Sequence, residues 1–141
     1  MKRTAFLAIV PALLLSMLCP FAGAQDKKAP PPVIAAVGQD GVQRADIIGG
    51  SYFFRPNHIV VKANTPVELR FMKESGMTPH NLVMSSPDAG MDFTVDLGTE
   101  PQVIRFTPTR PGKYPFYCSK KLLFFASHRE NGMEGVIEVV P

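Results

Sequence analysis

The chain has 141 residues, with 15 Lys and Arg against 12 Asp and Glu and only two cysteines. The length suffices for one domain with its own core. Of the formal net charge of +3, two units come from Lys2 and Arg3, so charge gives no support for a nucleic-acid partner.

Basic Lys2 and Arg3 precede an apolar run from Ala5 to Leu18, and Ala22-Gly23-Ala24 follows as a stretch of small residues. This is the layout of a cleaved secretory signal over residues 1–24, and it implies export to the periplasm. The run is short, and Pro11 and Pro20 interrupt it, which argues against a span of the bilayer and against stable membrane insertion once the signal is removed. Cys19 would leave with the signal, so Cys118 would be the one mature cysteine. Residues 25–36, with Pro30-Pro31-Pro32, are expected to be a flexible leader before a domain over 37–141.

From Val37 onward, short runs of alternating polarity are separated by turn residues. Gly41 to Ile48 alternates loosely and ends at Gly49-Gly50. Ser51 to Phe54 is aromatic and is stopped by Arg55-Pro56-Asn57. Ile59 to Lys62 is β-branched, and Val67 to Met72 alternates cleanly with Val67, Leu69 and Phe71 on one face. Short strands are expected again at Asn81 to Met84, Gln102 to Thr107, Lys113 to Tyr117 and Gly135 to Val140. About eight strands with regular turn signals predict an all-β sandwich or barrel. The one segment that admits a short helix lies within 119–129, although its apolar residues are contiguous rather than at helical spacing.

The chemistry concentrates around Cys118. His128 and Met133 follow it, and His80 lies upstream in Thr78-Pro79-His80-Asn81. A solitary thiol in an exported chain has no internal disulfide partner, and a metal bond is one way to occupy it. One thiolate, two imidazoles and one thioether form the ligand set of a blue-copper site, with methionine as the weak axial contact. Asn131-Gly132 supports a tight turn that would bring Met133 back towards His128. Asn81 is placed to tie the His80 strand to the Cys118 loop. His58 is the spare histidine, expected to be exposed at a strand start and without a role. It would replace His128 if that assignment failed.

With these residues in place, the chain resembles the cupredoxin family over roughly residues 37–141. The likeness rests on Phe54-Arg55-Pro56-Asn57-His58-Ile59, the Pro111-to-Cys118 approach to the thiol, His80-Asn81, and the closing Gly132-Met133-Glu134-Gly135-Val136. The resemblance implies a Greek-key β-sandwich holding one type 1 copper on His80, Cys118, His128 and Met133. One feature departs from the small members of the family, which set the second histidine much closer to the cysteine. Here nine residues intervene, from Ser119 to Ser127, while His128 and Met133 keep a spacing familiar from plastocyanin-like members.

The inserted Lys120-Lys121-Leu122-Leu123-Phe124-Phe125 would pack inward, shield the metal or form an apolar docking patch. An apolar run this short does not declare its side. No hydrolytic constellation, phosphate loop or cysteine pair for structural zinc is present. The resemblance implies one-electron transfer to a periplasmic partner, such as a cytochrome or a membrane oxidase or permease component. The alternative is metal handling: copper tolerance, or copper-dependent oxidation of ferrous iron for uptake, with Glu130 and Glu134 as carboxylates near the site.

Overall fold

A computed structural model describes residues 30–141. The expected signal segment and the first part of the leader lie outside the described residues. Eleven strands form two sheets: β1 (Val33–Ile34), β2 (Ala36–Val37), β3 (Gln43–Gly50), β4 (Phe53–Arg55), β5 (His58–Lys62), β6 (Val67–Lys73), β7 (His80–Ser86), β8 (Met91–Leu97), β9 (Gln102–Phe106), β10 (Gly112–Tyr117) and β11 (Glu134–Val140). One sheet has the order β1-β5-β11-β10-β7-β8. The other has the order β2-β3-β6-β9, with β4 paired to β3. Among the described residues the only helical element is a single 3-10 turn at Pro87–Ala89, so the fold is the all-β sandwich expected from the strand rhythm.

The alternation read from sequence maps onto the two faces of each sheet. In β6, Val67, Leu69 and Phe71 are buried while Arg70 is exposed. In β11, Ile137 and Val139 point inward, and Ile59 and Val61 do so from β5. The rings of Phe54 and Phe116 meet edge-on at 5.2 Å across the sandwich. Complete burial of one such aliphatic or aromatic side chain contributes about 1.5–3 kcal/mol, so these inward faces hold the layers together.

One polar residue joins the layers as well. Gln43 is buried on β3. Its amide nitrogen donates to the carbonyls of Lys62 and Thr65 at 3.1 and 3.3 Å, and its amide oxygen accepts from the Lys62 N–H at 2.6 Å. A buried amide costs little when its hydrogen bonds are made.

The structure corrects the sequence reading in three places. The strand count is eleven rather than eight. The additional strands include β8, in which Met91, Phe93, Val95 and Leu97 alternate with Asp92, Thr94 and Asp96. The leader does not run free to residue 36: β1 pairs in parallel with β5, Ala35 is buried, and the Ala35 N–H donates to the Val60 carbonyl at 3.0 Å. Finally, 119–129 contains no helix. Contiguous apolar residues offer a helix no single buried face, and the segment instead makes a turn closed by Phe125 N–H to the Leu122 carbonyl at 3.0 Å.

Candidate metal centre

Three separated parts of the chain meet at one end of the sandwich. His80 opens β7, Cys118 follows directly on β10, and His128 lies in the connection from β10 to β11. Strands β7 and β10 are hydrogen-bonded neighbours, with Tyr117 opposite Val83, so the sheet itself brings His80 towards Cys118. All three side chains are buried.

The donor atoms converge. His80 Nδ1 lies 3.1 Å from His128 Nδ1, and Cys118 Sγ lies 3.4 Å from the same His128 nitrogen. One ligand atom from each of the three residues lies within 4.8 Å of the others, and no other such group of His, Cys, Asp and Glu occurs among the described residues. Atoms bonded to one metal at about 2.0–2.3 Å stand about 3–4 Å apart, so the donors are already near coordination spacing. A soft thiolate with two imidazoles suits copper or zinc.

Burial holds both imidazoles below their ordinary pKa of 6.5. At His80 the nearby His128 and Lys73 charges add to the effect of burial. Neutral imidazole is the form that binds a metal.

The surroundings fix these side chains from several directions. Asn81 Oδ1 accepts from the Ser119 backbone N–H at 2.8 Å, and Asn81 Nδ2 donates to Ser119 Oγ at 2.9 Å. The Asn81 backbone N–H points to Cys118 Sγ at 3.5 Å. The Met133 N–H donates to the His128 carbonyl at 2.9 Å, and the Cys118 N–H donates to the Met133 carbonyl at 3.0 Å. Gly132, at φ +93°, makes this return possible because a side chain there would be strained. The Arg129 guanidinium lies 4.1 Å over the Tyr117 ring and pins the same segment to β10.

Met133 is fully buried, and a Cβ added at Gly49 would fall 3.3 Å from its methyl and 2.7 Å from Leu97 Cδ1. Leu97 is the strand partner of His80, so the Met133 side chain reaches the His80 end of the sandwich.

Two other sequence readings change. His58 opens β5 but is half-buried rather than exposed, and its Nε2 contacts Glu138 Oε2 at 2.8 Å. That contact holds the Glu138 carboxyl below the usual range. His58 has no part in the donor group, so it does not replace His128. The apolar run does not pack inward: Leu122, Leu123, Phe124 and Phe125 are 64%, 74%, 99% and 68% exposed. Sequence reasoning missed Tyr52 altogether. Its ring stands 5.2 Å from that of His128 at an interplanar angle of 85°.

A cupredoxin-like domain model matches residues 12–136. No curated protein matches the chain in sequence. Several solved structures share the fold. The metal-binding domain of the Cu(I)-exporting P-type ATPase CopA of Streptococcus pneumoniae, solved with Cu(I), is 22% identical over 79% of this chain and 97% of that one, at a TM-score of 0.61. Reduced auracyanin from Roseiflexus castenholzii is 20% identical over 76% of this chain and 99% of its own, at 0.57. Auracyanin A, a blue copper protein from Chloroflexus aurantiacus, is 20% identical over 71% of this chain and 100% of its own, at 0.51. The two-sheet sandwich, the His-Cys-His group at its end and the domain match together place this chain in the cupredoxin family, whose fold binds copper.

Proposed function

We propose that the chain is an exported, periplasmic cupredoxin that transfers one electron through a single type 1 copper site. The observation that carries this reading is the convergence of one thiol and two imidazoles, drawn from β7, the end of β10 and the β10–β11 connection. His80, Cys118 and His128 would hold the ion, with Met133 as the weak axial ligand. Copper bound there would supply the Cu(II)/Cu(I) couple.

The protein's part is to keep those donors still. His80 and Cys118 are attached to paired strands, and Asn81 locks their segments to one another through Ser119. The Asn81 N–H aimed at Cys118 Sγ withdraws charge from the sulfur, which is one of the levers on reduction potential. Burial favours the neutral, metal-binding form of both imidazoles. Donors fixed in this way need little rearrangement when the oxidation state changes.

The ligand loop also supplies a surface. The His128 N–H donates to the Lys120 carbonyl at 2.9 Å and closes the base of the excursion. Leu122 to Phe125 project from it. Lys120 pairs with Asp96 at 2.7 Å, and Lys121 is exposed beside the apolar tip. An exposed apolar patch with a charged rim fits a protein partner, here a redox partner in the same compartment. The carboxylates that would serve ferrous iron are already engaged: Glu130 accepts from the Ser127 N–H at 2.6 Å, and Glu134 pairs with Arg129 at 3.3 Å.

The test is optical and kinetic. Cu²⁺ added to the purified chain should produce an intense visible thiolate-to-copper absorption that Cys118→Ser abolishes, and the loaded protein should exchange electrons reversibly with a c-type cytochrome. Absence of the absorption overturns the copper site. Copper-dependent loss of Fe²⁺ without cytochrome exchange would replace electron carriage with metal handling.

A further inference from the structure

Strands β3 and β4 are joined by a two-residue hairpin turn, Ser51-Tyr52, with Gly50 paired to Phe53. Tyr52 has φ +63°. This left-handed conformation suits Gly or Asn at that turn position and is unfavourable for a bulky residue. Two glycines stand immediately before the turn, yet they answer a different need. A Cβ at Gly49 would crowd Leu97 and the Met133 methyl, and one at Gly50 would run into the Phe53 ring. The strained position itself carries a tyrosine.

Core packing does not explain that choice, because Tyr52 is 46% exposed. Its ring does have one specific aromatic contact. It stands against the imidazole of His128 in a near-perpendicular arrangement, 5.2 Å between centroids. Perpendicular aromatic contacts at this distance are favourable and work against the backbone cost. Strain held at a residue that touches a ligand side chain is a mark of a functional constraint. His128 otherwise hangs on an irregular connection rather than a strand, whereas His80 is held by the sheet.

We propose that Tyr52 is a positioning residue for the copper site: its ring braces the His128 imidazole from the β3–β4 turn and fixes the ligand that no strand holds. The inference rests on the copper reading above. The ring, not the hydroxyl, is the working part.

Tyr52→Gly separates positioning from stability, because glycine removes both the ring and the strain. In the full chain, apo Tyr52→Gly should melt no lower than the unsubstituted protein. After loading with Cu²⁺, it should lose copper to a chelator roughly tenfold faster, and its visible absorption should shift. Tyr52→Phe should restore both to the unsubstituted values. If the unsubstituted chain shows the absorption and Tyr52→Gly matches it in spectrum and release rate, the positioning role is overturned. A Tyr52→Phe variant that behaves like Tyr52→Gly overturns it too. If the unsubstituted chain itself gives no absorption, the copper reading fails first.

Discussion

Asn81 and Ser119 exchange two hydrogen bonds, 2.8 Å from the Ser119 backbone N–H to Asn81 Oδ1 and 2.9 Å from Asn81 Nδ2 to Ser119 Oγ. Each residue is the direct sequence neighbour of a donor, His80 and Cys118. One side chain thus sets the separation of the segments that carry His80 and Cys118, with its bonds to Ser119 spanning 38 positions in sequence.

Asn81→Ala should therefore weaken copper binding about 10–100-fold, as removal of a group orienting metal ligands typically does. Ser119→Ala should have a smaller effect, since the backbone N–H bond to Asn81 survives. Competition with a calibrated Cu²⁺ chelator measures both. Equal effects from the two substitutions would show that the hydroxyl bond, not the backbone bond, holds the loop.

Acid should weaken the metal-free fold through the same histidines. His80 and His128 lie below the ordinary imidazole value of 6.5, chiefly because they are buried. As pH falls below that value the unfolded chain takes up protons before the folded chain does. Their contribution is complete above pH 6.5 and is lost progressively as pH drops towards the folded values. Thermal melts of the apo protein between pH 7.5 and 5 should show a falling midpoint. A His80→Gln/His128→Gln double variant should show a shallower decline, and an unchanged slope would assign the acid sensitivity elsewhere.

The apolar tip is separable from the fold. Phe124 is 99% exposed, so Phe124→Ser should change stability by no more than about 0.5 kcal/mol. The same substitution should slow electron exchange with the physiological partner, on the order of tenfold for loss of a central aromatic anchor. Stopped-flow rates and melting curves on the same samples separate the two effects. Unchanged rates would remove the loop from the docking face.

Gln43 should be among the most sensitive polar positions. Gln43→Ala deletes three hydrogen bonds and leaves the part-buried Lys62 N–H and carbonyl without their side-chain partner. A loss of about 2–4 kcal/mol is expected, from stranded groups costing about 1–3 kcal/mol each and from the cavity left behind. Urea titration gives the value, and a loss below about 1 kcal/mol would mean that water takes the place of the amide.

The strands that alternate most cleanly, such as Val67–Lys73, were legible from sequence because a half-buried strand writes its two faces at every second residue. Strand β8 carries the same alternation, with Met91 and Leu97 buried and Asp92, Thr94 and Asp96 exposed. Val33–Ile34 could not be recognised, because a two-residue strand has no periodicity and is defined only by its partner β5. The group of His80, Cys118 and His128 was legible by chemical type, since Cys118 and three histidines leave few combinations. The choice between His128 and His58 needed the fold, which gives His58 to Glu138.

The sequence by itself determined the class of the fold and the residue types that gather at its end, because side-chain period and donor type are local properties written residue by residue. The tertiary structure decided what depends on distance between remote segments. It set the 3.1 and 3.4 Å spacings at His128 and the lock between Asn81 and Ser119. It turned Leu122–Phe125 outward to solvent and placed Tyr52 against the His128 imidazole. Chain entropy hides such relationships from any linear reading, since only packing selects which distant residues meet.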